Sequence, residues 1–149
     1  MAVQHHNPYC GFNFLVDLGD SDTTSVQAGF MEVLGLGASV SVIEYRNGND
    51  KVNATRKLPG LFRTQEVRLR RGVIGSTSLF AWLQSAASGQ PAYRNVTISL
   101  QNEDRSHIVL TWRLSNAMPV SYIGPTLSAT TNAVAMEELV LACQSMAVE

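Results

Sequence analysis

Few residues in this sequence are equipped for chemistry. It has three histidines, His5, His6 and His107, and two cysteines, Cys10 and Cys143. An acyl-transfer triad needs Ser, His and an acid around an oxyanion hole, and the G-x-S-x-G nucleophile elbow is absent. His107 opens a strand-like segment and reads as a solvated strand end, while His5 and His6 fall in the terminal stretch. "HHNPYC" offers His5, His6 and Cys10 as metal ligands, but a closed zinc shell takes about four. No second Cys/His pair completes it. Cys10 and Cys143 lie far apart in sequence and read as small apolar side chains of a reducing compartment. "GLGASV" resembles part of a dinucleotide glycine loop, but no strand–turn–helix follows it. "NAT" (53–55) and "NVT" (95–97) match the glycosylation pattern, which carries little weight without a secretory signal. "RLRR" (68–71) reads as a strand with its charged face in water rather than a nucleic-acid contact. Neither a catalytic constellation nor a metal or cofactor is expected.

Other elements must therefore carry the function. A chain of 149 residues, 45% hydrophobic and with a net charge of −1, suits one domain with its own core. Near-neutral charge argues against a protein built mainly to hold nucleic acid. No apolar run is long enough to span a bilayer, and the N-terminus lacks a signal-peptide pattern. Synthesis and folding in a bacterial cytoplasm are the expectation.

Period-2 alternation dominates. "FNFLVDLG" places Phe12, Phe14, Val16 and Leu18 on one face. "QAGFMEVLGLG" is apolar but broken by glycines, and "ASVSVIEYR" (38–46) alternates again. "EVRLRRG" sets Val67 and Leu69 against Arg68 and Arg70, and "NVTISLQ" alternates through Val96, Ile98 and Leu100. "NEDRS" is a polar turn leading into "HIVLTWRLS", with Ile108, Leu110, Trp112 and Leu114 on one face and His107, Thr111 and Arg113 away. "AMPVSYIG" follows, with Pro119 marking an edge or bulge. "NAVAMEELVLACQ" reads as strand, although Ala, Met, Glu and Leu also favour helix. One helix is expected over residues 76–88, where Leu79, Trp82, Leu83 and Ala86 form an apolar stripe. "STS" supplies hydroxyl caps, Gly89 the left-handed C-terminal position, and Pro91 a stop. The sum is an antiparallel β-barrel or sandwich with one flanking helix, a mainly β, α+β class.

Two features are unexplained by such a domain. Several strands are hydrophobic on both faces, and exposed edges of that kind invite pairing with another chain. Between "SVSVIEY" and "QEVRLRR" runs "YRNGNDKVNATRKLPGL" (45–61), a long polar stretch in which "PGLF" is a turn signal. Loops that long are uncommon in compact domains unless functional or disordered.

These residues resemble the tail-tube proteins of contractile phages and extracellular contractile injection systems, nearly end to end. "NPYCGFNFLVDLG" is similar to the family's opening strand, and "AGFMEVLGLGASVSVIEYRNGND" to its A-G-F-x-E-V-x-G-L and E-Y-R-x-G segments. "RKLPGL", "VRLRRGVIGSTSLFAWL", "VTISLQNED" and "TWRLSNAMPVSYIGPTLSATTNAVAMEELVLA" follow in the family's order. The chain departs from it at Cys143, Gln144 and Ser145, where many members continue with a His-Glu-Gly-like end. "VIGST" also lacks the acidic residue often found before the helix.

The resemblance implies a fold like the type VI secretion tube and homohexameric rings stacked into a hollow tube. A contractile sheath would surround the tube, baseplate and tube-terminating proteins would bound it, and DNA or a protein effector would pass through its lumen. The location would be a virion tail or an extracellular injection particle. The length favours the main shaft protein over a tube-initiator paralogue at the baseplate. A ring-forming carrier that holds an effector in its pore is the alternative from another class. On this reading Arg46, Asn47, Asp50, Lys51, Arg56 and Lys57 form an inter-subunit or inter-ring contact loop, returned by Leu58, Leu61 and Phe62. Leu79, Trp82 and Leu83 pack the helix, and Phe12, Phe14 and Trp112 pack the strands. Ser41, Thr97 and Ser99 are candidates for a smooth lumen wall.

Overall fold

The computed structural model describes residue 2, residues 6–90 and residues 92–149. The expectations for His5 and for Pro91 lie outside the described residues. Nine strands, one α-helix and a short 3-10 turn at Val26–Ala28 occur among them: β1 (Phe14–Asp17), β2 (Glu32–Leu34), β3 (Ala38–Tyr45), β4 (Arg56–Thr64), β5 (Val67–Gly72), α1 (Ser78–Ala87), β6 (Arg94–Gln101), β7 (Ile108–Ile123), β8 (Met136–Ala142) and β9 (Ser145–Val148). The main sheet runs β1-β6-β7-β8-β5-β2, with β9 also paired to β7, and every pairing is antiparallel. β3 and β4 form a separate two-stranded sheet.

Register converts the alternation into a core. Val16 lies opposite Ile98, Ile98 opposite Trp112, Val96 opposite Leu114, Leu69 opposite Leu139 and Val67 opposite Leu141. Directly opposed residues share a face, so these side chains form one inward layer, and all but the half-buried Trp112 are buried. Each contributes about 1.5–3 kcal/mol when fully removed from water. Phe14 packs against this layer, but Phe12 does not: it precedes β1 and is 69% exposed. The expectation that Phe12 packs with the strands is thus corrected: the sheet ends before reaching it, and no partner strand among the described residues covers its side chain.

"HIVLTWRLS" and "AMPVSYIG" prove to be one 16-residue strand, β7. Asn116 adopts φ +50° within it, a conformation Asn tolerates better than most residues, and the register to β6 shifts there. The bulge lets Leu114 and Ala117, three positions apart, both point inward. Pro119 sits at a second register shift, opposite Leu141. Residues 136–142 are strand, as expected, and β9 is an addition that the alternation did not reveal. It leaves Thr111, expected to face outward, buried beside Glu149, with which it exchanges backbone bonds of 2.9 and 2.8 Å.

The helix forms where its apolar stripe meets the core. Leu79 and Trp82 are buried in the same cluster as the strands, and Leu83 is half-buried. Thr77 occupies the N-cap position without a side-chain bond; Ser76 Oγ instead accepts from the Ser78 N–H at 3.3 Å. Gly89 takes φ +79°, the left-handed C-terminal conformation. Trp82 Nε1 donates to the Ala92 carbonyl at 2.7 Å, and the Arg94 guanidinium lies 4.4 Å from its ring centroid. Trp82→Ala is expected to destabilise the chain by about 3–5 kcal/mol, read as a fall in Tm of about 10 °C. A variant melting like the parent would mean that this side chain does not fill the core.

Candidate assembly surface

β2 runs into β3, and β4 runs into β5, so the four strands make one long ribbon whose inner half belongs to the barrel. The joint is at Gly35-Leu36-Gly37. Gly35 has φ +82°, and a Cβ there would stand 2.1 Å from the Glu66 carbonyl oxygen; one on Gly37 would meet Gln65 Oε1 at 2.8 Å. The Gln65 N–H donates to the Gly37 carbonyl at 2.9 Å across the joint. Beyond it the outer half, β3–β4, continues as a hairpin.

This hairpin revises the reading of residues 45–61. "PGLF" is not a turn but part of β4; only residues 46–55 are loop. Pro59 is accommodated because it lies opposite Val42 at a register shift. Gly60 fills the same shift, where a Cβ would approach the Ser41 carbonyl oxygen to 2.9 Å.

Every residue of β3 is exposed, and so is β4 apart from Gly60 and Thr64. Ala38, Val40 and Val42 share a face with Phe62, while Ser39, Ser41, Ile43 and Tyr45 share the other with Arg63, Leu58 and Arg56. Val40 is 51% exposed, Val42 61% and Phe62 55%, with Leu58, Leu61 and Ile43 similar on the second face. An isolated two-stranded hairpin is marginally stable in water, and contiguous exposed apolar surface marks an interaction site. The residues expected to return the loop therefore have no cover among the described residues.

The loop itself is organised. Arg46 turns inward, donating to the Val52 and Asp50 carbonyls at 3.1 and 3.0 Å and to Asn53 Oδ1 at 3.0 Å. Asp50 Oδ2 accepts from the Asn47 N–H at 3.0 Å, and Asn47 Oδ1 accepts from the Tyr45 hydroxyl at 2.5 Å. Arg46, Asn47 and Asp50 thus hold the loop's shape, whereas Lys51 and Lys57 are exposed and Arg56 lies over the Tyr45 ring, 5.5 Å from its centroid. Of the three hydroxyls considered for a lumen wall, Ser41 is exposed, Thr97 half-buried and Ser99 buried.

The "RLRR" cluster divides in two. Arg68 and Arg70 face outward beside Glu138 and Glu32, at 3.5 and 2.8 Å, pairs of a kind that contribute about 0–1 kcal/mol. Arg71 faces inward with Val67 and Leu69 and is 1% exposed. Its Nε donates to Glu137 Oε1 at 2.6 Å and its Nη1 to the Gln27 carbonyl at 2.6 Å, with the guanidinium 5.7 Å from the Phe30 centroid. The Tyr122 hydroxyl donates to Glu137 Oε2 at 2.6 Å, and this bond, with burial, holds the phenol above its usual range. One buried group thereby ties β5, β7, β8 and the segment before β2. Sequence reasoning placed Arg71 in water. Its position two and four residues from Leu69 and Val67 was the available sign that it points inward.

Among the described residues, no group of His, Cys, Asp and Glu is arranged to hold a metal ion, and no helix is long and apolar enough to cross a membrane. The family model for the T4-like virus tail tube protein gp19 matches residues 10–147. The chain belongs to this tail tube protein family.

Solved structures agree with the assignment. The tail tube protein is 33% identical to a chain from the PVC sheath–tube complex of an extracellular contractile injection system, covering 97% of this chain and 93% of that one, with a TM-score of 0.84. It is 34% identical to a chain from the PVC sheath/tube terminator in the extended state, over 99% of each, with a TM-score of 0.83. A chain from the six-fold symmetrised baseplate of the anti-feeding prophage is 26% identical over 97% of each, with a TM-score of 0.78. No curated protein matches significantly. These matches favour the tube reading over that of an effector carrier.

Proposed function

We propose that this tail tube protein is a non-enzymatic structural subunit that assembles into homohexameric rings stacked as a hollow tube. A contractile sheath surrounds the tube, baseplate and terminating proteins cap it, and DNA or a protein effector travels in its lumen. The observation that carries the proposal is the β3–β4 hairpin, exposed on both faces in a chain that aligns almost entirely with one from a sheath–tube complex. Six-fold rings agree with the symmetry of the related baseplate. Contacts within a ring are heterologous and close by rotation, whereas stacking repeats a heterologous contact that does not close and gives a filament.

Electron microscopy of the purified protein, with mass from light scattering, tests this directly. Six-fold rings or hollow tubes are expected. A monodisperse monomer that stays monomeric when baseplate proteins are added would overturn it. Replacing residues 47–55 by a two-residue Asn-Gly turn is expected to leave rings that no longer stack, because Lys51 and the loop's shape are removed while both strands remain. Tubes of normal length from that variant would exclude the loop from stacking.

A further inference from the structure

The loop between β3 and β4 carries the chain's single Asn-Gly pair, Asn47–Gly48. Asparagine followed by glycine sets an amide carbon beside the next backbone nitrogen, so the two can react within one molecule. Glycine adds no Cβ to obstruct the approach. Gly48 is exposed in the turn of the loop, and a Cβ built on it would meet nothing within 4 Å. Its N–H makes no backbone hydrogen bond among the described residues. The amide is also polarised, because Asn47 Oδ1 accepts from the Tyr45 hydroxyl at 2.5 Å. Asn53, in the same loop, meets only half of these conditions. Arg46 Nη2 donates to its Oδ1 at 3.0 Å, but the next residue is Ala54, whose Cβ obstructs the attack.

We propose that Asn47 is a site of self-modification, converted to aspartate and isoaspartate with the Tyr45 hydroxyl assisting. The Gly48 nitrogen gives its proton to water and attacks Asn47 Cγ; the new C–N bond pushes the carbonyl electron pair onto Oδ1. The Tyr45 hydroxyl donates to that oxyanion, which is where a positioned donor lowers a barrier. The pair then returns, the Cγ–Nδ2 bond breaks, and the amide nitrogen takes a proton from water and leaves as ammonia. Water opens the resulting five-membered imide at either carbonyl, giving aspartate or isoaspartate. Water is the sole co-reactant, and nothing is oxidised or reduced. The product alters the loop. The Asp50 N–H donates to the Asn47 carbonyl at 3.1 Å, and Asp50 Oδ2 accepts from the Asn47 N–H at 3.0 Å. Aspartate at 47 adds a second carboxylate beside Asp50, and isoaspartate lengthens the backbone inside this turn. On the assembly reading above, on which this one consequence rests, subunits that wait too long unassembled lose the loop shape that stacking uses.

The test follows full-length protein, kept dilute and unassembled at mildly alkaline pH, by mass spectrometry. Trypsin cuts after Arg46 and Lys51 and releases residues 47–51. This peptide is expected to gain the mass difference between a hydroxyl and an amino group, with fragment ions assigning the change to residue 47 rather than 49. A zero-time sample sets the background. Tyr45→Phe keeps the ring beneath Arg56 and removes only the hydroxyl. It should slow the reaction about tenfold, less than the loss of about 10²–10³ when a water-excluded oxyanion hole loses a donor. Gly48→Ala fits the open space and should bring residue 47 down to the rate of Asn53. In urea the parent and Tyr45→Phe should react alike, since the hydroxyl no longer meets the amide. An unchanged residue 47 in the folded parent, or a Tyr45→Phe chain reacting at the parent's rate, would overturn the proposal. These readouts do not depend on assembly. After partial conversion, pelleted tubes should hold a smaller modified fraction than the supernatant; equal fractions would overturn the effect on stacking alone.

Discussion

A chain carrying Val42→Glu and Phe62→Glu is expected to fold as well as the parent but to assemble only at far higher concentration. Both side chains are more than half exposed within the chain, and substitutions at such positions usually shift stability by no more than about 0.5 kcal/mol. In an assembly they would be covered, and each buried Val or Phe contributes about 1.5–3 kcal/mol. Losing two at every subunit contact removes about 3–6 kcal/mol, before any penalty for a carboxylate forced against apolar surface. The concentration needed for assembly should therefore rise by a factor of about 10² to 10⁴. Circular dichroism and a melting curve read the fold, and light scattering reads the assembly. Rings at the parent's concentration would show that this face stays in water. A lowered Tm would show that it packs within its own chain.

Replacing Arg71 by Ala should produce the largest loss of stability outside the apolar core. Arg71 and Glu137 are both almost fully buried, and removing one partner strands the other as an uncompensated buried charge, at about 3–5 kcal/mol. For a chain of this size that corresponds to a fall in Tm of about 10 °C. The double replacement Arg71→Met with Glu137→Met should recover most of the loss, since neither charge then remains. Tyr122 would keep a hydroxyl without its acceptor, so adding Tyr122→Phe should recover more. If Arg71→Ala melted within about 2 °C of the parent, water would have to reach Glu137, and the inward end of the barrel would be open.

Much of the barrel was legible in residue order, and the exceptions have separate causes. "NVTISLQ" and "EVRLRRG" alternate because one face of each strand enters the core, and Val96, Ile98, Val67 and Leu69 are buried as their spacing requires. The helix was legible from its stripe and from Gly89, because helical period and left-handed caps are local properties. Arg71 was misassigned because its charge was given more weight than its parity, although the parity was correct. The bulge at Asn116 could not be seen in advance: a change of face within one strand depends on the partner strand's register. β4 was taken for a loop because Pro59 and Gly60 are strand breakers, and only the pairing with β3 shows the register shift that accommodates both.

The sequence by itself determined the alternation of most strands, where the helix lies and, through its motifs, the tail tube family. Tertiary structure alone decided what each face meets. Alternation has no memory of distance: a Val on β3 and a Val on β6 look alike in the chain, yet Val42 is 61% exposed and Val96 fully buried. Burial is a property of what folds against a strand. For β6 that partner is the rest of the chain, and for β3 nothing among the described residues supplies it.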